Sequence, residues 1–154
     1  MSVTGFALFK VSCVELARSV AFYERLGFKP MGPASDSDAP WLGDLYGVPG
    51  AKVRAQHFAA AGDPRKGRLE LVQWDKPRAP RQGADTPGGG MLSLSTDDLM
   101  GDYQSLSAEG VHFESEPVVL DRPEGVTRLV NLRDPDGLPI QLVQFTRPQA
   151  PAAG

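Results

Sequence analysis

The sequence has few of the residues and motifs that most often identify a specific chemistry. It holds one cysteine, Cys13, and two histidines, His57 and His112. A single cysteine cannot form a disulfide within the chain, which fits a reducing cytoplasm. There is no Gly-rich phosphate loop, no pair of cysteines for zinc and no Gly-x-Ser-x-Gly nucleophile elbow. These absences exclude the function classes that such motifs define.

Long apolar runs and blocks of like charge are also missing. The chain has 16 basic and 19 acidic side chains, a net charge of −3, so nothing favours nucleic acid or an anionic membrane as a partner. No apolar run approaches the ~20 residues of a membrane-spanning helix, and no signal segment begins the chain. We therefore expect a cytoplasmic protein with neither a nucleic-acid nor a membrane partner.

An internal repeat is the strongest feature that the sequence does contain. A constant offset of 83 residues relates the apolar stripe and closing glycine of two predicted helices: Leu16, Val20, Tyr23 and Gly27 onto Leu99, Tyr103, Leu106 and Gly110. The offset from Glu70 to Gln141 is 71, so the first half holds 12 extra residues, which we place in the segment 33–50. Each half then reads as a strand, a helix and three strands.

This repeat predicts an α+β fold of two βαβββ modules, which lie side by side and form a curved mixed sheet around a cleft. We expect one domain over residues 1–146, with module one at 5–75, a Pro/Gly linker at 76–90 and module two at 91–146. Residues 147–154 are predicted to be a flexible tail. A short helical turn is expected around residues 42–46.

Alternation along the predicted strands separates cleft-facing from helix-facing side chains. In the strand 68–74, Leu69 and Leu71 face the helix, and Glu70 faces the cleft. In the last strand, Gln141 takes the place of Glu70. In the first strand of the chain, Phe9, Val11 and Cys13 are predicted to face the core. The cleft-facing set contains Lys10 and Ser12 from this strand and Ser93 and Ser95 from the first strand of the second half.

Three segments resemble the vicinal oxygen chelate superfamily, which includes glyoxalases, extradiol dioxygenases, epimerases and bleomycin-resistance proteins. They are the run 14–28 (VELARSVAFYERLGF), Leu69-Glu70-Leu71, and 133–142 (RDPDGLPIQL). The resemblance covers about residues 6–146. It implies the paired-module fold and a homodimer.

The resemblance also implies four cleft positions that hold one divalent metal ion in metal-dependent members. Here those positions are Leu8, Glu70, Met91 and Gln141. Leucine has no donor, a thioether is a poor partner for hard or borderline ions, and an amide is a weak neutral ligand. Since a catalytic centre normally needs three protein ligands, we predict no bound metal and no other cofactor.

Glu70 and His57 are the candidate catalytic residues. Glu70 is either a general base in a partly dry cleft or a solvated carboxylate that pairs with Arg68 or Lys10. His57 is a candidate acid/base partner for Glu70. However, Val53 and Ala55 share its side of the strand, which favours a His57 that faces the helix instead.

The candidate ligand-binding residues come from the cleft-facing sets and the long insertion. Arg54 and Arg128 occupy matching strands and are candidates to clamp an anionic group, with solvated strand-edge arginines as the alternative. Trp41 and Tyr46 are candidate aromatic walls, with core packing as the alternative. The full set is Leu8, Lys10, Ser12, Trp41, Tyr46, Arg54, Met91, Ser93, Arg128 and Gln141.

The function that these residues favour is binding of a small organic molecule in a cleft without the usual metal, as in bleomycin-resistance-like members. Two alternatives remain open. One is an isomerase or lyase of the same superfamily that moves a proton next to a carbonyl, with Glu70 as base. The other is a metal enzyme with rearranged ligands that include Glu70 and His57.

Overall fold

The computed structural model describes residues 7–42, 49–75 and 91–147. The chain divides into two compact units, Met1–Pro80 and Arg81–Gly154, which contain the two predicted modules. Each module is described by itself below.

Module one contains one helix and one five-stranded sheet. Its elements are β1 (Phe9–Cys13), α1 (Leu16–Arg25), β2 (Phe28–Pro30), β3 (Ser35–Ser37), β4 (Val53–Ala60) and β5 (Arg68–Trp74). The sheet order is β1-β5-β4-β2, and β3 also pairs with β4. Strand β1 lies parallel to β5, whereas the other pairs are antiparallel. This is the predicted strand, helix and three strands, with β3 added inside the long insertion.

The core of module one lies between α1 and one face of the sheet. Tyr23, Phe58 and Leu71 are each 0% exposed, and Tyr23 makes an edge-to-face contact with Phe28. Gly27 follows the helix with φ +87°, a left-handed conformation that ends a helix at little cost to glycine. Phe9 differs from its predicted place in the core, since it is 40% exposed.

Module two repeats the arrangement with a four-stranded sheet. Its elements are β6 (Leu92–Ser95), α2 (Leu99–Ala108), β7 (Val118–Arg122), β8 (Gly125–Arg133) and β9 (Pro139–Thr146). The sheet order is β6-β9-β8-β7, with β6 parallel to β9. Leu99, Leu132 and Ile140 are each 0% exposed and form the centre of its core. The predicted repeat is therefore present in the backbone.

Polar side chains fix the start of α2 and the turn between β8 and β9 in module two. The Asp98 carboxylate accepts a hydrogen bond from the N–H of Gly101 over 3.1 Å, and it fills the space that a Cβ at Gly101 would need. Buried Asp134 accepts from the N–H groups of Asp136 and Leu138. Asp98 is therefore the N-cap of α2, and Asp134 orders the Asp-Pro-Asp-Gly turn.

Some predicted features lie partly or wholly outside the described residues. Residues 40–42 are helical, while 43–46 of the helical turn expected around 42–46 lie outside the described residues. The linker at 76–90 and all of the tail except Arg147 are also outside them. Within the described part of the chain, no helix is long and apolar enough to cross a membrane.

Candidate functional site

The strand register of module one brings three polar residues into one row. Lys10 on β1 lies beside Glu70 on β5, and Glu70 lies opposite His57 on β4. Residues that pair directly across strands point to the same side of a sheet. We call this side the Glu70 face; it is opposite the helix face, on which Leu69, Leu71 and Gln73 lie.

Glu70 is at the centre of this row and contacts both neighbours. Its Oε2 lies 2.9 Å from Nζ of Lys10, and its Oε1 lies 3.8 Å from Nε2 of His57. The Glu70 side chain is 13% exposed, whereas those of Lys10 and His57 are 35% and 43% exposed. The carboxylate is therefore nearly enclosed, with a cation on one oxygen and an imidazole near the other.

The position of His57 corrects the sequence interpretation. Val53 and Ala55 suggested that the side of β4 that carries His57 faced the helix. In the structure, His57 lies opposite Glu70, and Ala55 lies opposite Val72 on the same face. His57 is therefore on the Glu70 face. Strand β4 is buried on both faces, since Ala55 is 8% and Phe58, on the helix face, is 0% exposed. Alternation cannot identify the core side of such a strand.

Apolar and polar groups surround the Glu70 row on the same face. Val72 is 2% exposed, and Ser12 lies beside it on β1. The indole N–H of Trp74 donates to Oγ of Ser12 over 3.0 Å. The face therefore combines a charged row with a buried aliphatic surface and a fixed aromatic side chain.

Module two has a neutral counterpart of the same row. Ser93 lies beside Gln141, and Gln141 lies opposite Asn131. Oγ of Ser93 donates to Oε1 of Gln141 over 3.3 Å, and Nε2 of Gln141 donates to Oδ1 of Asn131 over 3.2 Å. The offset of 83 residues relates Lys10 to Ser93, and the offset of 71 relates Glu70 to Gln141.

Sequence reasoning missed Asn131 as a partner of Gln141. The nearest signal was the turn at 134–137, because an antiparallel hairpin pairs residues symmetrically about its turn. That turn alone would place Asn131 opposite Ile140. The loop between β8 and β9 spans 134–138, one residue more, and this brings Asn131 opposite Gln141.

The two predicted anion-clamp arginines do not lie on these faces. Arg54 pairs with Gln73, and Arg128 pairs with Gln144, which places each on the helix face of its sheet. Arg54 also lies 3.9 Å from Asp36. It lines a cavity of about 500 Å³ with Asp36, Ser37, Asp38, Lys52, Val53, Gln73 and Asp75.

The remaining predicted ligand residues have separate positions. Leu8 precedes β1 and is half-buried, and Met91 precedes β6 and is 37% exposed. Trp41 lies in the helical turn and is 57% exposed, so it does not pack in a core. Tyr46 lies outside the described residues.

The donor set at the four implied positions does not fit a divalent metal ion. Of the four implied positions, Leu8 offers no donor, Met91 offers a thioether, and the Gln141 amide is already bonded to Asn131 and Ser93. Over residues 7–42, 49–75 and 91–147, no three His, Cys, Asp or Glu side chains are grouped to hold an ion. Glu70 is the one matching ligand.

Comparison with protein families gives a match that spans both modules. The family model described as "Glyoxalase/Bleomycin resistance protein/Dioxygenase superfamily" matches residues 5–142. A comparison with curated proteins gives no significant match.

Solved structures share the fold at low sequence identity. A glyoxalase family protein from Bacillus cereus matches with a TM-score of 0.78 and 17% identity, over 94% of this chain and 96% of that chain. A glyoxylase/bleomycin resistance protein/dioxygenase domain from Frankia sp. matches with a TM-score of 0.66 and 17% identity, over 94% of both chains. The fosfomycin resistance protein FosX from Listeria monocytogenes, complexed with Mn(II) and sulfate, matches with a TM-score of 0.57 and 12% identity, over 94% and 95%.

Proposed function

Because the chain belongs to the Glyoxalase/Bleomycin resistance protein/Dioxygenase superfamily, we propose that it binds a small organic molecule against the Glu70 face of module one. Binding takes place without the metal ion of metal-dependent members. The observation that carries this proposal is the nearly enclosed Glu70 carboxylate, with Lys10 and His57 on its two oxygens.

The surroundings of Glu70 have the composition of a small-molecule site. Such sites are mostly apolar and hold a few convergent polar groups that fix the orientation of the ligand. Here Val72 and Ala55 supply buried aliphatic surface, and Glu70, Lys10 and His57 supply the polar groups. A carboxylate accepts about four hydrogen bonds, so Glu70 can accept a ligand N–H or O–H while it keeps Lys10.

The experiment is a thermal-shift screen of small carbonyl, amine and aromatic compounds on the wild-type protein and on Glu70→Gln. A ligand at 100 times its Kd stabilises the folded state by about 2.7 kcal/mol, so a true ligand raises Tm measurably. We expect the shift to fall in Glu70→Gln and to persist in Glu24→Gln, a control on the exposed side of α1. Equal shifts in all three proteins would contradict the proposal.

Catalysis is a second candidate, which the position of His57 supports. Oε1 of Glu70 is 3.8 Å from Nε2 of His57, so a proton taken from a carbon next to a carbonyl has a second acceptor nearby. Oε2 is held by Lys10, which leaves Oε1 as the atom that would take the substrate proton. The reaction class is an isomerase or lyase step.

Glu70→Gln also separates these two functions once a ligand is known. A general base contributes roughly 10²-fold or more to turnover, so an enzyme loses about that factor while its ligand affinity changes within about tenfold. In a binding protein, the same substitution changes affinity alone. Full turnover in Glu70→Gln would remove Glu70 from the mechanism.

A further inference from the structure

The Glu70 face of module one has an excess of positive charge that the proposed function does not yet use. Arg68 precedes Glu70 by two residues on β5 and so points to the same side. It lies opposite Ala59, and Ala59 lies opposite Lys29 of β2. Arg68 and Lys29 are therefore in one row across the sheet, next to the row of Lys10, Glu70 and His57.

The net charge of this face is positive, whereas the net charge of the whole chain is negative. Among the described strand residues of module one, the face has three cations, Lys10, Lys29 and Arg68, and one carboxylate, Glu70. Its net charge is thus +2 with neutral His57, in a chain of net charge −3. We call Lys10, Lys29 and Arg68 the basic band.

The members of the basic band differ in their partners. Lys10 is bound to Glu70 at 2.9 Å. Arg68 and Lys29 are exposed, and neither has an ion pair or side-chain hydrogen bond within the described part of the chain. Their charges are available to a ligand, whereas Arg65 nearby is held by Asp63.

We propose that Arg68, assisted by Lys29, binds an anionic group of the small molecule, a carboxylate or a phosphate-type group. A guanidinium presents a planar fork of donors that matches both groups with two parallel hydrogen bonds. Strands are about 4.8 Å apart, so the backbones of β5 and β2, separated by β4, are about 10 Å apart. Two long side chains can converge on one anion over that distance.

This inference rests on the proposed small-molecule function and names the ligand class of the same face. Arg68 lies one strand repeat, about 7 Å, from Glu70 along β5. A ligand held at both points has a negative group near Arg68 and a hydrogen-bond donor or an acidic C–H near Glu70. In this proposal Arg68, on the Glu70 face, has the anion-binding role that the sequence suggested for Arg54.

The test is a ¹H–¹⁵N NMR titration of the full chain with inorganic phosphate and, separately, with benzoate, at constant ionic strength set by chloride. We expect saturable shifts at the amides of Arg68, Ala59 and Lys29. Arg68→Gln should weaken binding about tenfold, as expected for loss of a charge-assisted hydrogen bond. The affinity of Arg68→Lys should lie between those of the wild type and Arg68→Gln, because lysine keeps the positive charge but lacks the planar fork of donors.

The matched control is Arg18→Gln, which removes the same charge from the exposed side of α1 and should leave the titration unchanged. Saturation by phosphate alone or benzoate alone supports the inference and identifies the anion class. The inference is overturned by non-saturable shifts, by shifts centred on Arg54, or by equal weakening in Arg18→Gln and Arg68→Gln.

The anion titration needs no compound from the thermal-shift screen, so its outcome is independent of that screen. A neutral compound whose binding depends on Glu70 but not on Arg68 would overturn the anion inference and leave the proposed function standing. Saturable phosphate binding that depends on Arg68, with no Glu70-dependent compound in the screen, would support the inference and count against the proposed function.

Discussion

The backbone N–H of Leu16 donates a hydrogen bond to Oε1 of Gln73 over 2.7 Å, 57 residues along the chain. Leu99 and Gln144 repeat this contact in module two at 3.3 Å. The last strand of each module therefore supplies an acceptor to the first turn of its helix, where backbone N–H groups lack partners within the helix. In α1 the preceding residue, Glu15, makes no side-chain cap, so Gln73 takes that role.

Gln73→Leu should destabilise module one because it leaves the Leu16 N–H unsatisfied in a partly buried place. We expect a loss of about 1–2 kcal/mol in the free energy of unfolding, measured by urea denaturation with an unchanged m-value. Gln104→Leu on the exposed side of α2 is the control and should cost less than about 0.5 kcal/mol. Equal costs would remove Gln73 from the capping role.

Lys10 and Glu70 should show strong energetic coupling. Lys10→Met leaves the nearly enclosed Glu70 carboxylate without its cation, so we expect a destabilisation of about 1–3 kcal/mol. The double variant Lys10→Met/Glu70→Gln should recover most of this loss, because no unpaired charge remains. A double-mutant cycle measures the coupling, and simple additivity of the two single changes would refute it.

Chelation should leave the protein unchanged. Since only Glu70 of the four implied ligand positions carries a suitable donor, we expect well under one equivalent of Zn, Ni, Mn or Fe in the purified protein. An ion that binds only the folded state contributes stability, so EDTA should not change Tm. Stoichiometric metal by elemental analysis, or a large fall in Tm, would be the contrary result.

We expect a homodimer in solution. Strand β7 is at an edge of the second sheet, and it exposes Val118 and Val119 at 44% and 55%. Unpaired edges with apolar side chains favour association. Light scattering at micromolar concentration should give twice the chain mass of 16.5 kDa, and a monomer peak would contradict this. If β7 is at the interface, Val119→Lys should shift the equilibrium to monomer.

The hairpin loop between β4 and β5 should make a pH-dependent contribution to stability. Side-chain hydrogen bonds from Arg65, followed by its backbone N–H, lower the pKa of Asp63 below its usual 3.8. A lowered folded-state pKa contributes stability that is present above the unfolded pKa and is lost as pH falls through the folded pKa. The Tm difference between wild type and Asp63→Asn should therefore be constant near neutral pH and shrink below about pH 4. A difference that stays the same down to about pH 3 would contradict this.

The sequence by itself determined the repeated module. The offset of 83 residues, the stripes of α1 and α2, and glycines such as Gly27 and Gly110 are local signals, because a helix period and a left-handed stop depend on neighbouring residues. The same holds for the side of β5 that carries Glu70: Leu69 and Leu71 are buried against α1, as alternation predicts. The chemistry of the implied metal positions was also readable, since it depends on residue type.

Only the tertiary structure decided which residues stand beside Glu70. Alternation shows which side chains share a face, but not which face meets the helix when both faces of a strand are buried, as in β4. The pairing across the 61–67 loop sets that choice and places His57 opposite Glu70. The same pairing turns Arg54 to the helix face, because a shift of one residue reverses every side chain of a strand.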